Sequence, residues 1–319
     1  MVRLLCLAVL LVAAVAAVAA PAPLKLYVSP AGNDRWSGTL ARPNAAHTDG
    51  PLATVPAARD AVRKLRAAGG AGPAIVELAT GTYRLTEPLT LQPQDSDLTF
   101  TATPGSHAVI SGGRAIAGWK QQAPGLWAAP AGGLKDLRLL FVNGRRATLA
   151  RSPNEGYFRI VGKALPFVED GKERDSSKQA FRFKPGDLAN WPDVAGGNVI
   201  VFYHWETGML RLKSVDEAGA TAVLTGEMKW PFWGNQRYYV ENVRAALDAP
   251  GEWYLDAARD MVYYMPRPGE DMKKAQVVAP VVTQLVVVQG DAAAGLLVER
   301  IRFQNLRLQH TNYVLEPEG

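Results

Sequence analysis

The sequence contains a single cysteine, Cys6, within the N-terminal stretch MVRLLCLAVLLVAAVAAVAA. One Arg, an apolar run and then small residues are typical of a secretory signal peptide. Ala17-Val18-Ala19 predicts cleavage after Ala19, with a retained membrane anchor as the alternative. Cleavage would leave a chain without cysteine, and such a chain forms no disulfide, thiol catalyst or zinc–cysteine site. We therefore expect a secreted protein, extracellular or periplasmic, with no membrane contact after cleavage.

The sequence also lacks a charge excess and a metal-binding motif. Its 35 Lys and Arg against 30 Asp and Glu give a formal net charge of +5, one unit of which would leave with Arg3. The charges are interspersed, so they give no footprint for nucleic acid. The histidines stand far apart, without an H-x-x-x-H spacing: His47, His107, His204 and His310. No metal or other cofactor is predicted, and no pattern indicates an oligomeric state.

One strand and one helix are predicted near the start of the mature chain. The segment LKLYV, Leu24 to Val28, reads as a short strand before a polar Gly/Asn/Asp loop. In TVPAARDAVRKLRAAGG, Thr54 can cap a helix, Pro56 suits its first turn and Gly69-Gly70 ends it. The apolar positions share one face, which we expect to be buried: Val55, Ala58, Val62 and Leu65.

Short apolar runs follow the helix. AIVEL, YRLTEPLTLQ, LTFTA and AVISGG are separated by Gly, Pro or Asp. A new strand starts roughly every ten residues, a rhythm that both a β-sandwich and a stacked solenoid produce.

The stretch VERIRFQNLRLQHTN distinguishes between these two folds. Ile301 and Phe303 alternate with polar residues, Gln304-Asn305 interrupts, and Leu306 and Leu308 resume the alternation. Asn tolerates the left-handed conformation that a sharp turn needs, so we predict a turn at Asn305; one long strand with a bulge is the alternative. With the apolar strands in TQLVVVQGDAAAGLLVE, residues 276–315 would form roughly two coils of a solenoid.

From Trp119 to Met265 the strands are longer and more aromatic, and turn signals separate them, including Asn143-Gly144. We predict an antiparallel β-sandwich inserted into the solenoid. Within ENVRAALDAPGEWYLDAARDMVYYMPRPGED, Trp253 and Leu255 alternate with Tyr254 before the DAARD turn, which predicts a hairpin. Its acids lie at turn and strand ends, where Asp and Glu are common. We therefore favour a structural role for them over a catalytic carboxylate pair.

Four stretches together resemble secreted glycoside hydrolases that are built on a right-handed parallel β-helix. They are YVSPAGNDRWSGT…GPLATVPAARDAV, LFVNGRRATLAR, ENVRAALDAPGEWYLD…MVYYMPRPGED and IRFQNLRLQHTN. The resemblance is to families 120 and 141, which act on xylo-oligosaccharides or on fucose- and xylose-bearing plant glycans; in family 120 a β-sandwich is inserted into the β-helix. It implies an all-β fold, a right-handed parallel β-helix with one short helix near its start and an antiparallel β-sandwich insertion. These stretches are architectural and indicate the scaffold better than the substrate.

The resemblance implies a domain order and a departure in length. The expected order is a signal peptide at 1–19, a cap and first coils at 24–115, an inserted β-sandwich at 116–275 and a resumed β-helix at 276–319. Such enzymes carry their catalytic acids on later coils, whereas this sequence ends as the solenoid resumes. The resemblance therefore implies an inactive N-terminal fragment, truncated at the C-terminus, and assigns no catalytic residue.

Glycoside hydrolysis needs two carboxyl groups beside the scissile bond, one protonated and one ionised. Glu206, Glu227 and Glu316 are the acids closest to aromatic or open-face segments. We interpret each of them as a solvated carboxylate, and we expect the catalytic pair downstream of this sequence.

Contact with an oligo- or polysaccharide is better supported than catalysis. KWPFWGNQRYY contributes Trp230, Phe232, Trp233, Asn235, Gln236 and Arg237, and FYHWE contributes His204 and Trp205. Flat rings suit the C–H faces of a sugar and polar side chains suit its hydroxyls, with core packing as the alternative. Three rings within four positions cannot all lie on one side of a strand, so at least one should be exposed. His310 and Asn312 could face a substrate groove or cap a strand.

Three functional hypotheses follow. A β-helix glycoside hydrolase is favoured. A β-helix polysaccharide lyase would require Ca²⁺-binding Asp clusters and a Lys or Arg base. A non-catalytic surface β-helix would not require a binding cleft rich in Trp.

Overall fold

The computed structural model describes residues 22–70, 72–169 and 171–313. In these ranges the chain is mostly β-structure with one α-helix and three short 3-10 helices, which confirms the predicted all-β class. The predicted signal peptide, Cys6 and Glu316 lie outside the described residues. No helix in the described ranges combines the length and apolar character needed to cross a bilayer.

The strands fall into three groups along the chain. The first group also contains the helix α1 (Val55–Ala67) and consists of β1 (Leu24–Val28), β2 (Ala74–Leu78), β3 (Gly81–Arg84), β4 (Leu89–Leu91), β5 (Leu98–Ala102), β6 (Ala108–Ser111) and β7 (Gly113–Ala115). The second group consists of β8 (Lys120–Ala123), β9 (Leu126–Pro130), β10 (Phe141–Val142), β11 (Arg145–Arg146), β12 (Thr148–Leu149), β13 (Arg151–Ser152), β14 (Phe158–Arg159), β15 (Gly162–Lys163), β16 (Phe167–Glu169), β17 (Lys172–Arg174), β18 (Ala180–Arg182), β19 (Asn198–Phe202), β20 (Thr207–Asp216), β21 (Thr221–Leu224), β22 (Arg237–Glu241), β23 (Glu252–Asp256) and β24 (Met261–Tyr264). The third group consists of β25 (Val277–Pro280), β26 (Val286–Val288), β27 (Arg302–Gln304) and β28 (Leu306–Gln309).

A parallel sheet in the order β1-β2-β5-β27 joins strands from the two ends of the chain. Leu26 pairs with Val76, Val76 with Phe100 and Phe100 with Phe303. Because side chains alternate along a strand, this register places equivalent positions in rows on one face. Phe100 is fully buried, and its ring stacks on Phe303 at a centroid distance of 5.2 Å. The period-two pattern of AIVEL and LTFTA therefore builds one continuous apolar face.

The helix α1 begins where its sequence predicts. The Oγ1 atom of Thr54 accepts a hydrogen bond from the backbone N–H of Ala57 at 3.2 Å. Val55, Ala58 and Val62 are buried as predicted, whereas Leu65, near the end of the helix, is 36% exposed. Beside this apolar face, Arg63 donates to both carboxylate oxygens of the buried Asp95, at 2.6 and 2.8 Å. This bidentate ion pair fixes the orientation of α1 relative to the turn that precedes β5.

The second group of strands forms two main sheets. The larger sheet has the order β13-β22-β19-β20-β21-β18-β15, with β14 beside β22, and the smaller has the order β12-β23-β24-β9-β8. Most neighbours are antiparallel, but β12 and β23 are parallel. The turn predicted at Asn143-Gly144 connects β10 and β11, and both residues have the positive φ angles that a two-residue hairpin needs.

The predicted hairpin of β23 and β24 is confirmed, and it is buried on both sides. Trp253 and Leu255 lie in one apolar cluster with Val142 and Val277, whereas Tyr254 lies in the core of the larger sheet. All five residues of β23 are buried. A two-layer sandwich would bury only alternate positions, so β23 is better described as a strand that is covered on both faces of the smaller sheet.

The acids of this hairpin hold its turns. The carboxylate of Glu252 accepts hydrogen bonds from the backbone N–H groups of Arg151, Asp248 and Ala249. Asp256 pairs with Arg259 at 2.7 Å. Both carboxylates have structural partners, as the structural interpretation of these acids expects.

The turn predicted at Asn305 is present. Asn305 has a φ of 56°, and the strands on either side of it enter different sheets, β27 beside β5 and β28 beside β6. A left-handed residue at this position redirects the chain while both flanking strands keep their alternation. The alternative of one long strand with a bulge is therefore excluded.

The chain divides into two compact units. The first contains the chain up to Gly81 together with Thr90–Ala108 and Val288–Leu306. The second contains Thr82–Leu89, Val109–Val287 and the chain from Arg307 onward. All residues predicted to contact a sugar belong to the second unit. The domain boundaries at 115/116 and 275/276 remain predictions.

Candidate functional site

Two loops at one end of the larger sheet carry the predicted ring residues. One loop joins β19 to β20 and the other leads into β22, and the strand ends meet where Phe202 pairs with Arg237. The backbone N–H of Tyr203 donates to the carbonyl of Glu206 at 2.9 Å, which closes a tight turn around His204 and Trp205.

The buried side chain of Tyr203 ties these two loops together. Its hydroxyl donates to the carbonyl oxygen of Trp230 at 3.0 Å. Burial raises the pKa of Tyr203 to about 12, and the charge of Glu206 adds to this shift. The hydroxyl therefore remains a donor at neutral pH, and the link between the loops persists.

The loop before β22 divides its three rings between core and surface. The backbone N–H of Phe232 donates to the carbonyl of Ser177 at 2.7 Å, and its side chain, 3% exposed, packs against Phe181 at 5.2 Å. Trp230 and Trp233 are 36% and 37% exposed. The expectation that at least one ring is exposed is confirmed, and the core alternative holds for Phe232.

The exposed rings contact one another across the two loops. Trp205, which is 65% exposed, meets Trp230 edge-on at 5.6 Å. The imidazole of His204 lies nearly parallel to the indole of Trp233, with 5.7 Å between centroids and 21° between planes. We call these four residues, His204, Trp205, Trp230 and Trp233, the aromatic cluster.

A cleft of about 320 Å³ opens beside Trp233, and part of its polar wall comes from the end of the loop that leads into β22. Asn235 has a φ of 69° and donates its backbone N–H to the carbonyl of Ile160 at 2.7 Å. A Cβ atom at Gly234 would lie 3.2 Å from the carbonyl oxygen of Val161, so the close approach of the two segments favours glycine. Arg159 donates to the carbonyl of Asn235 at 3.0 Å.

The geometry suits a flat, hydroxylated ligand. The exposed indole of Trp233 offers an apolar face, and Asn235, Gln236 and Arg237 place amide and guanidinium groups beside it. Such a combination binds the apolar and polar sides of one sugar ring. No Asp or Glu lines this cleft, so its residues supply contact rather than the carboxylate pair of hydrolysis.

His310 lies apart from the aromatic cluster. Its Nδ1 atom is 2.8 Å from the buried hydroxyl of Ser111, and its ring meets Phe141 edge-on at 4.8 Å. Burial lowers the pKa of His310, and the charge of Arg84 adds to the shift. His310 and Ser111 line a separate cavity of about 210 Å³. A contact between His310 and a substrate remains a prediction. The cavity beside His310 is separate from the cleft beside the aromatic cluster.

The remaining candidate residues have local partners or face solvent. The backbone N–H of Asn312 donates to the carbonyl of Val282 at 2.9 Å. Glu206 lies 3.3 Å from Lys229, and Glu227 is exposed, as expected for solvated carboxylates. Across the described ranges, no three His, Cys, Asp or Glu side chains form a group that could hold a metal ion.

A larger cavity, of about 640 Å³, also lies in the second unit. Much of its charged lining is paired internally, Arg138 with Asp136 at 3.0 Å and Arg259 with Asp256 at 2.7 Å. It lacks the exposed indole of the aromatic cluster. We therefore place the candidate site at the smaller cleft.

Besides Gly234, which has no side chain, sequence reasoning missed three residues of the cleft. Arg159, Phe202 and Tyr203 line it together with the predicted residues. Phe202 and Tyr203 immediately precede His204, so the aromatic run itself was a usable signal. Arg159 reaches the site only through the pairing of β14 with β22, which no local pattern indicates.

Residues 126–267 match the model of the GH141 insertion domain. A solved structure described as a glycoside hydrolase is similar to this chain with a TM-score of 0.71 and 25% identity, over 91% of this chain and 51% of that protein. A structure described as the complex of XylC with xylose gives a TM-score of 0.36 and 15% identity, over 90% of this chain and 35% of that one. No curated protein matches the chain.

The all-β fold and the match to the insertion domain together indicate the class of protein that this chain resembles. The chain is GH141-like: it resembles an all-β glycoside hydrolase of family 141 with an inserted domain. The aromatic cluster and the cleft lie within the residues that match the insertion domain. The chain spans about half of the length of the solved glycoside hydrolase it resembles.

Proposed function

We propose that this chain is the N-terminal part of a secreted glycoside hydrolase that acts on plant-type glycans, xylo-oligosaccharides or fucose- and xylose-bearing polysaccharides. In this proposal the parallel sheets are faces of a right-handed β-helix, and residues 116–275 are its insertion. The unbroken register of β1, β2, β5 and β27 and the left-handed Asn305 support the β-helix. The leader-like first residues support secretion.

The aromatic cluster carries the functional part of the proposal. Two exposed indoles, Trp230 and Trp233, lie in one loop, and the ring of Phe232 between them anchors this loop in the core. A rigid exposed ring binds a sugar face without first having to be ordered, which favours affinity. The catalytic carboxylates are proposed to lie on later coils, in the half of such an enzyme that has no counterpart in this sequence.

Binding by the Trp233→Ala variant tests this role. Titration calorimetry with neutral xylo-oligosaccharides should show a dissociation constant raised roughly fivefold, since about 1 kcal/mol of ring contact is lost. The melting temperature should change little because the ring is exposed. Leu40→Ala, at a position of similar exposure, should change neither value. A strongly lowered melting temperature with unchanged affinity would show that Trp233 is a core residue.

A turnover assay tests the location of the catalytic pair. The chain alone should hydrolyse neither xylo-oligosaccharides nor fucosides above a buffer control. Clear turnover would place the catalytic acids within this chain. It would overturn the interpretation of Glu206 and Glu227 as solvated carboxylates without a catalytic role.

A further inference from the structure

The cleft beside Trp233 is rich in donors and poor in acceptors. Its charged or ionisable side chains are Arg159, Tyr203, His204 and Arg237, and no carboxylate lines it. Glu206, in the neighbouring turn, lies beside Lys229. A neutral sugar hydroxyl both donates and accepts hydrogen bonds, so a site for it normally mixes both kinds of partner. This lining favours a ligand that mainly accepts.

Gln236 adds a buried donor to the same cleft. Its side chain is 4% exposed, and its Oε1 atom accepts the backbone N–H of Trp233 at 2.8 Å. Its Nε2 atom has no hydrogen-bond partner among the described residues. An unpaired buried N–H group is costly. A ligand oxygen that reached this atom would remove this cost.

The guanidinium groups are held in place before any ligand binds. Arg237 lies over the rings of Tyr157 and Phe202, at 5.1 and 5.2 Å from their centroids. Arg159 is fixed by its hydrogen bond to the carbonyl of Asn235. Planar guanidinium groups with a fixed orientation match the paired oxygens of a carboxylate or a sulfate.

We propose that this cleft binds the anionic group of an acidic glycan, a carboxylate or a sulfate ester, through Arg159, Gln236 and Arg237, while the sugar ring lies against Trp233. The proposal rests on the proposed sugar-binding role of the aromatic cluster and narrows its substrate class. The anionic group would be a substituent on a xylose- or fucose-based backbone, since the aromatic face remains available to a neutral sugar.

Calorimetry on the unmodified chain tests the proposal with three ligands: xylotetraose, the same backbone carrying a glucuronic acid, and the same backbone carrying a sulfate ester. At low salt at least one anionic ligand should bind roughly tenfold more tightly than the neutral one, because charge-assisted hydrogen bonds are the stronger kind. The advantage should fall as salt is raised. The ligand that shows it identifies carboxylate or sulfate as the group recognised.

Variants separate this proposal from the sugar-binding role. Arg159→Gln should remove the anionic advantage, whereas the exposed Arg42→Gln should keep it. If all three ligands bind with equal affinity and Trp233→Ala still weakens that affinity, the anionic site is overturned and the sugar-binding role of the aromatic cluster stands. If no ligand binds at all, both proposals fail. The salt dependence of the unmodified chain gives a result even if Arg159→Gln does not fold.

Discussion

Aromatic residues have different places in the two compact units. In the first unit, Phe100 and Phe303 stack face to face in the row of a parallel sheet. In the second unit, rings fill the core at Phe181 and Tyr238 but also stand exposed at Trp205 and Trp233. Strand alternation forces a ring to one face, whereas a loop can separate neighbouring rings. Exposed rings in loops are thus a better sign of binding than rings in strands.

One acid in each unit shows how the surroundings set the pKa of a carboxyl group. In the first, the Arg300 guanidinium lowers the pKa of Asp97. In the second, burial raises the pKa of Glu241, against the opposing charges of Arg138, Arg151 and Arg146. A cationic partner stabilises the charged form of a carboxyl group, whereas burial stabilises its neutral form.

The largest expected effect concerns the parallel sheet. Phe100→Ala removes a fully buried ring from the row that joins β5 to β27, and we expect the free energy of unfolding to fall by about 3–5 kcal/mol. Denaturant titration measures this. Thr99→Ala, at a half-buried neighbouring position, is the control and should cost much less. Similar losses for both variants would contradict the assignment of the apolar face.

The next effect concerns the turn between β27 and β28. Asn305→Val places a β-branched residue at a φ of 56° and should lower the free energy of unfolding by about 1–2 kcal/mol. Asn305→Gly should cost little, since glycine adopts this conformation freely. A loss in both variants would mean that the side chain of Asn305, and not its backbone conformation, is what matters.

A smaller effect concerns Glu241 and depends on pH. Its folded-state pKa is raised above the ordinary value of 4.5, so its contribution to stability is present below about pH 4.5 and is lost as pH rises through the folded-state pKa. Glu241→Gln mimics the neutral form. Its free energy of unfolding should match that of the unmodified protein at pH 4 and exceed it at pH 7.

Thermal unfolding at several pH values measures this difference. Glu227→Gln, at an exposed position, is the control substitution. A Glu241→Gln variant less stable than the unmodified protein at pH 7 would show that attraction to the arginines outweighs burial.

Local signals in the sequence predicted much of the fold. Thr54, the alternation around Phe100, the Asn143-Gly144 turn and the left-handed Asn305 each act within a few residues, and the structure has all of them. The double burial of β23 was missed because Trp253 and Tyr254 meet different parts of the chain.

Pairing between strands that are distant in the sequence determines which other residues line the candidate site. The mixture of rings and polar side chains in FYHWE and KWPFWGNQRYY brought His204 and Trp233 into one hypothesis, and their rings are in contact. Arg159 was missed since it enters the cleft through a strand pairing with β22. The unpaired Nε2 atom of Gln236 depends on three-dimensional burial, which residue type alone does not show.

The indole N–H signals of the eight tryptophans test the central claim most directly. In a ¹⁵N-labelled chain titrated with a xylo-oligosaccharide, the account predicts that the signals of Trp205, Trp230 and Trp233, assigned by single Trp→Phe variants, shift in a saturable way. The signal of Trp253, which is fully buried, should stay in place. Shifts confined to tryptophans outside the aromatic cluster, or no shift at millimolar sugar, which is roughly the weak limit for a specific site, would contradict the account.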